Sequence, residues 1–183
     1  MRTYDSVLSI TNEVSNILSG VAPGELDGAV RQITESNAVF VAGTGRSLLM
    51  LKAFAMRLMH FGLNAHVVGE TTTPAITERD LLVAASGSGE TETVLLIAKK
   101  AVTAGATLLA ITANRESSLS SIAGNPVIIP ARSKNDSAQL SWQPSGNSFE
   151  QSLLLVLDGI AITVSERHGI SLADKLRLHA NLE

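Results

Sequence analysis

Two short loops of this chain combine glycine with hydroxyl side chains in a pattern that suits an anionic ligand. The first is Gly43–Ser47, "GTGRS", and the second is Ser86–Thr91, "SGSGET". Each follows an apolar run and precedes a segment of helical periodicity, so each leads into a helix N-terminus. Free backbone N–H groups and the positive end of the helix dipole favour an anion there. Arg46 adds a guanidinium suited to phosphate or hydroxyl oxygens.

The second loop also has a simpler interpretation, as an ordinary helix cap. Ser88 can cap the helix that follows, and Glu90 and Glu92 suit the positive end of its dipole. The two acids would repel a phosphate, so we expect Glu90 to face away from one. Two loops of this kind at neighbouring strand ends favour an anion site over two plain caps.

A dinucleotide site is the natural competitor for the first loop. Its "GTGRSL" contains G-x-G but has Leu48 where the third glycine belongs, and Glu70 would have to serve as the ribose-binding acid. This interpretation leaves Ser86–Thr91 without a role. A P-loop is excluded because no G-x-x-x-x-G-K-[ST] occurs. Four scattered histidines and the absence of cysteine predict no metal site.

The elements that must position these loops follow from the alternation of apolar runs with helical periodicity. Five apolar runs predict strands at Ala38–Gly43, Asn64–Gly69, Asp80–Ser86, Ala106–Thr112 and Pro126–Pro130. Segments with an apolar stripe predict helices at Val7–Leu18, Glu25–Ser36, Arg46–Gly62, Glu92–Gly105 and Asn147–Arg167, and a short helix from Leu172. This order predicts an α/β fold, a three-layer α/β/α sandwich with a five-stranded parallel sheet.

We expect one domain over residues 1–183, with the helices of residues 1–36 packing on the domain and on partner subunits. Ligands of such a sheet lie beyond the C-terminal ends of the strands, where the strand order reverses. The formal charge of −3 and the absence of a basic block argue against a nucleic-acid partner. The sequence shows no signal peptide and no apolar run of 18 residues, so we expect a cytoplasmic protein without a membrane span.

The loop Ser86–Thr91 after an apolar strand, with Gly43–Ser47 on the preceding unit, resembles the sugar isomerase (SIS) domain family. The family's Ser-x-Ser-Gly-x-Thr loop is matched at each of its specified positions. Two further stretches, "GRSLLMLKAFAMRLMHFGLNAHVVGETTTPAI" and the C-terminal "HANLE", resemble the 6-phospho-3-hexuloisomerases of this family. That resemblance runs from about Val39 to Glu183, and the first helices are less distinctive.

The resemblance implies an isomerase that interconverts D-arabino-hex-3-ulose 6-phosphate and fructose 6-phosphate in formaldehyde fixation by the ribulose monophosphate pathway. It implies no cofactor, and a homotetramer with sites made between subunits. In the family, the serine and threonine loop holds the phosphate, which here corresponds to Ser86, Gly87, Ser88 and Thr91.

The first loop is expected to complete the substrate site. Gly45 and Ser47 would join the phosphate or sugar contacts, and Arg46 would lie near the reacting carbons. The resemblance also implies a catalytic base at Glu150 and a proton shuttle at His179, which a neighbouring subunit often lends. The alternatives are that Glu150 closes a capping box with Asn147 and that His179 is a surface histidine.

The chemistry requires a base that removes a proton from C2 and returns one to C3 through an enediol, a task that suits a carboxylate. The pair Ser148 and Gln151 fits the S-x-x-Q capping box, which would leave Glu150 free for this task. Two other functions stay open: another SIS isomerase, such as one acting on arabinose 5-phosphate, and a non-catalytic sugar-phosphate sensor. The polar segment 131–148, with Trp142, is expected to be a lid or a subunit contact.

Overall fold

The computed structural model describes residues 2–131, 141, 143–144, 146–171 and 178 of the 183-residue chain. The strands in this part of the chain are β1 Val39–Ala42, β2 Ala65–Val67, β3 Leu81–Ala85, β4 Thr107–Thr112 and β5 Val127–Ile128. The helices are α1 Thr3–Leu18, α2 Pro23–Glu35, α3 Gly45–His60, α4 Glu92–Thr103, α5 Ser118–Ala123 and α6 Asn147–Arg167.

The five strands form one sheet in the order β2-β1-β3-β4-β5, and every neighbouring pair is parallel. This confirms the predicted five-stranded parallel sheet. The chain leaves β1 toward one side to form β2, then crosses back to form β3 on the other side of β1. The strand order therefore reverses between β1 and β3, and the loops that follow these two strands lie at the reversal point.

The strands are continuous apolar runs because helices cover both faces of the sheet. Alternate residues of β3 enter two separate clusters: Leu81 and Val83 pack in the cluster that contains α2, α3 and α6 residues, while Leu82 and Ala84 pack in the cluster that contains α4 and α5 residues. This alternation follows from the period of two in a strand. It confirms the three-layer arrangement.

Helix α6 is the one helix of the described residues that is long and apolar enough to cross a membrane. However, 56% of that apolar stretch is buried inside the protein, and the helix contacts α1, α2 and α3. Its buried side chains include Phe149, Leu153, Leu157 and Ile160. Its apolar character is therefore explained by its place in the core.

All five strand predictions match observed strands within two residues at each end, all five longer helix predictions match observed helices within four, and α6 has the predicted bounds. The fifth strand is the shortest, with two residues inside the predicted five. Helix α5 was not predicted. The short helix predicted from Leu172 lies outside the described residues. Helix α2 buries Ala29, Val30 and Ile33, whereas α1 buries only Val14 among its described residues.

Candidate functional site

Three segments meet at the C-terminal edge of the sheet. A Cβ added to Gly43, after β1, would lie 3.3 Å from the carbonyl oxygen of Ala85 at the end of β3. A Cβ added to Gly87, after β3, would lie 3.3 Å from the ring of Phe149 in the first turn of α6. The loop after β1, the loop after β3 and the start of α6 thus lie side by side, and small residues permit the close approach.

The loop Ser86–Thr91 is held in shape by its own hydroxyl groups. The Oγ of Ser86 lies 2.8 Å from Oγ1 of Thr91 and accepts a hydrogen bond of 3.1 Å from the backbone N–H of Gly89. Ser86 is buried, whereas Ser88 and Thr91 are partly exposed. Ser86 therefore lies beneath the loop, and Ser88 and Thr91 lie where a ligand can reach them.

Contacts with β4 and α5 fix the outer side of this loop. The carbonyl oxygen of Gly87 accepts hydrogen bonds from Oγ1 of Thr112 and the N–H of Ala113. Gly89 has a φ of 70°, and a Cβ there would lie 2.1 Å from Oγ of Ser117. Only glycine fits this position, because both its backbone conformation and the space around it exclude a side chain.

Glu90 points to α5, where its Oε1 accepts a hydrogen bond of 2.7 Å from the backbone N–H of Ser118. The hydrogen bonds from the backbone and the side chain of Ser118 lower the pKa of Glu90 below its usual 4.5. Glu90, which would repel an anion bound at this loop, therefore has its carboxylate at the N-terminus of α5.

Arg46 and Glu150 form an ion pair across the site, with 2.5 Å between Nε of Arg46 and Oε2 of Glu150. The Glu150 side chain is 14% exposed and the Arg46 side chain 55% exposed. The two residues are 104 positions apart in sequence, and α3 and α6 bring them together. The pair places a carboxylate and an accessible guanidinium next to the two glycine loops.

The N-termini of α3, α4 and α6 belong to these three segments, and none is capped by a side-chain hydrogen bond. Their N-cap residues are Thr44, Thr91 and Gly146. First-turn amides without intrahelical partners are therefore available at this edge. The proposed cap at Ser88 is wrong, because Thr91 occupies the N-cap of α4 and Oγ of Ser88 accepts from the N–H of Glu90 instead.

The predicted capping box of Ser148 and Gln151 is also wrong. Gly146, with a φ of 92°, is the N-cap of α6, so Ser148 already lies inside the helix. The side-chain amide of Gln151 donates to Oε1 of Gln143, whose own amide donates to Glu13. The alternative that Glu150 closes a capping box with Asn147 is wrong too, because Asn147 is not the N-cap and the Glu150 carboxylate pairs with Arg46 instead.

Of the residues predicted for the site, Gly45, Arg46 and Ser47 form the first turn of α3, beside the Ser86–Thr91 loop and Glu150. His179 and Trp142 lie outside the described residues. Glu70, the candidate ribose-binding acid, forms an exposed ion pair with Lys52 at 3.1 Å. Among the described residues, no group of three or more histidine, aspartate or glutamate side chains could hold a metal ion.

The sequence profile of the SIS domain matches residues 32–156, which is more than half of the chain and spans both glycine loops and Glu150. This chain belongs to the SIS domain family. The matched region of the SIS domain begins within α2 and ends within α6.

Three relatives of this SIS domain protein cover nearly all of it. A 3-hexulose-6-phosphate isomerase of Bacillus subtilis is 40% identical over 100% of both chains. A 3-hexulose-6-phosphate isomerase of Mycobacterium gastri is 43% identical over 95% of this chain and 88% of that one. A crystal structure from Methanococcus jannaschii, from which a 3-hexulose-6-phosphate isomerase function was inferred, has a TM-score of 0.85 and 30% identity, covering 98% of this chain and 99% of that one. These relatives confirm the resemblance seen in the sequence.

Proposed function

We propose that this protein interconverts D-arabino-hex-3-ulose 6-phosphate and fructose 6-phosphate through a 2,3-enediol. The observation that carries the proposal is the Arg46–Glu150 pair beside the Ser86–Thr91 loop, in a chain that is 40–43% identical to two 3-hexulose-6-phosphate isomerases over nearly its full length. A phosphate anchor next to a shielded carboxylate is what isomerisation of a sugar phosphate requires. On the basis of the similarity to these isomerases, we also propose that the reaction serves formaldehyde fixation by the ribulose monophosphate pathway in the cytoplasm.

The phosphate group is bound by the loop Ser86–Thr91 and the first turn of α3. Ser88 and Thr91 donate from their hydroxyls, Gly87 offers close approach of the backbone, and the buried Ser86 holds the loop in shape. The first-turn amides of α3 at Gly45 and Ser47 face the same edge, and the N-terminal ends of α3 and α4 favour the anion.

Glu150 removes the proton from C2 of the hexulose and delivers a proton to C3, so one base on one face of the enediol serves both steps. Its Oε2 is paired with Nε of Arg46, which is the one hydrogen-bond partner of this carboxylate among the described residues. The remaining N–H groups of Arg46 can contact the sugar oxygens near the reacting carbons. Arg46 thus holds both the base and the substrate in one geometry.

The protons on O2 and O3 must also change places, and His179 is our candidate for this step, since its two ring nitrogens can donate and accept. The 3-keto sugar phosphate has no hydroxyl placed to close a five- or six-membered ring, so it reacts as the open chain. Fructose 6-phosphate does form a ring, and His179 would also assist its opening in the reverse direction.

We further propose that the protein works as a homotetramer with sites shared between subunits. The support is a set of apolar side chains that are 45–56% exposed on two helices in contact with each other: Val7 and Leu8 of α1, and Leu155 and Ile162 on the side of α6 that the core does not cover. Exposed apolar patches of this kind mark contact surfaces. Light scattering should give four times the chain mass of 19.2 kDa, and a monomer mass would contradict the shared site.

The function is tested by incubating the protein with hex-3-ulose 6-phosphate, generated by a hexulose phosphate synthase, and measuring fructose 6-phosphate. Arabinose 5-phosphate, assayed in parallel, separates this activity from the other SIS isomerase reaction left open by the sequence. Turnover of the hexulose alone is the expected result. Binding of both sugars with turnover of neither would instead identify a sugar-phosphate sensor.

A further inference from the structure

We propose that Glu90 is a positioning residue that holds the Ser86–Thr91 loop against the N-terminus of α5. The proposal rests on the proposed function, because it assigns to that loop the task of binding the substrate's phosphate. In this proposal Glu90 neither caps α4 nor contacts the ligand, and it acts by fixing the position of the loop.

Both ends of Glu90 are engaged. Its backbone N–H donates a hydrogen bond of 3.2 Å to Oγ of Ser88, and its carboxylate accepts one of 2.7 Å from the backbone N–H of Ser118. Glu90 therefore connects the hydroxyl of Ser88, which would bind phosphate, to the first residue of α5. Because the acceptor is charged and the donor is a first-turn amide, this is among the stronger hydrogen bonds of the loop.

A second connection runs parallel to the first. The backbone N–H of Leu119 donates to the carbonyl oxygen of Gly89 at 3.1 Å, so consecutive amides of α5 bind consecutive residues of the loop. Leu119 is fully buried and anchors α5 in the cluster that includes α4 residues. The loop is thus docked on an element fixed in the core, while Phe149 supports its other side at Gly87.

This geometry predicts that shortening Glu90 harms phosphate binding more than neutralising it does. Glu90→Asp keeps the charge but removes one methylene, so the carboxylate no longer reaches the N–H of Ser118. Glu90→Gln loses the charge but keeps the reach and an oxygen acceptor. If Glu90 acted only by repelling the anion, the order would reverse: Glu90→Gln would bind phosphate more tightly and Glu90→Asp would equal the wild type.

Glu92 provides the matched control. It lies two residues further along, in the first turn of α4, and is exposed, and no hydrogen bond or ion pair of its carboxylate is observed within the described part of the chain. Glu92→Gln removes the same charge from the first turn of α4, directly after the loop, and leaves the contact with α5 intact. A change in affinity that comes only from net charge would appear equally in Glu90→Gln and Glu92→Gln.

The experiment measures the dissociation constants of inorganic phosphate and of fructose 6-phosphate by calorimetry for the wild type and the three full-length variants, and kcat and KM for the isomerisation. We expect Glu90→Asp to weaken both ligands about fivefold, the scale of one lost hydrogen bond. We expect Glu90→Gln to weaken them less, Glu92→Gln not at all, and kcat to stay within about twofold of the wild type, since the loop holds the phosphate and not the reacting carbons.

Glu90→Asp binding as tightly as the wild type, or Glu90→Gln and Glu92→Gln both binding more tightly, would overturn the proposal. The calorimetric ranking does not depend on turnover. A wild-type protein that binds both ligands without isomerising the hexulose would therefore refute the proposed function alone, and the ranking of the variants would still decide the role of Glu90.

Discussion

Gly89→Ala is the substitution whose effect the structure determines most sharply. Gly89 lies at a φ of 70° within the Ser86–Thr91 loop. An added Cβ would lie 2.1 Å from Oγ and 2.3 Å from Cβ of Ser117, and 3.0 Å from Oγ1 of Thr112. Ser117 cannot yield easily, because it is fully buried and its Oγ caps α5 by accepting from the N–H of Ser120.

Two costs add in this variant. Holding alanine in the left-handed region costs about 1–2 kcal/mol. Forcing a methyl group into a filled space costs about 1–3 kcal/mol more, through displacement of Ser117 and loss of its cap. The free energy of unfolding should therefore fall by about 2–5 kcal/mol.

Gly169→Ala is the control for the first cost alone. Gly169 follows α6 at a φ of 63°, is exposed, and has no atom within 4 Å of its added Cβ. Urea unfolding followed by circular dichroism should show a loss of only about 1–2 kcal/mol for this variant. If Gly89→Ala were no less stable than Gly169→Ala, the close packing of the loop on α5 would be refuted. Gly89→Ala should also lose affinity for inorganic phosphate, whereas Gly169→Ala should not.

Three further variants test one contact at the opposite edge of the sheet and two contacts of α6. Burial would raise the pKa of Asp80, but hydrogen bonds led by those from Thr77 outweigh burial and lower the pKa below 3.8. The carboxylate of Asp80 therefore stabilises the fold above pH 3.8, and this stabilisation is lost as the pH falls through the lowered pKa of the folded state. In urea unfolding between about pH 6 and about pH 3, Asp80→Asn should show a smaller loss of stability toward acid pH than the wild type. Gln143→Ala should lower the free energy of unfolding by about 1–3 kcal/mol, because it removes the hydrogen-bond partner of Glu13 on α1 and of Gln151 on α6, both partly buried. An unchanged midpoint of urea unfolding would contradict this prediction. Arg46→Ala should lower kcat/KM in the isomerase assay by about 100-fold, because the residue that contacts both Glu150 and the substrate is lost. The affinity for inorganic phosphate should change far less. Equal losses in kcat/KM and in phosphate affinity would show that Arg46 serves only to bind the phosphate.

The sheet and the location of the site could be predicted from the sequence because local signals agree there. Buried parallel strands must be apolar on both faces, so β1 and β3 stand out as continuous runs. Glycine and hydroxyl residues directly after those runs indicated the two loops, and the strand order places them together. The start of α6 at Asn147 was also predicted correctly.

What could not be predicted depends on contacts between distant segments. Helix α5 has only six residues, too few for a helical period to be recognised, although Ser117 as its cap and Gly124 after it were possible signals. The partner of Glu90 lies 28 positions away on that unrecognised helix. The S-x-x-Q pattern was misleading because Gly146, in a positive-φ conformation, is the N-cap of α6, so Ser148 is already the second residue of the helix.

Deuterium exchange at C3 of fructose 6-phosphate tests the central claim most directly, because it reports the proton transfer itself without requiring the hexulose. Fructose 6-phosphate is incubated in D2O with the wild type, with Glu150→Gln, and with Glu166→Gln, which removes an exposed carboxylate from the other end of α6. The account predicts loss of the C3 proton signal in NMR with the wild type and Glu166→Gln, and a rate lower by about 10²–10⁴-fold with Glu150→Gln. Exchange by Glu150→Gln at the wild-type rate, or no exchange by the wild type, would contradict it.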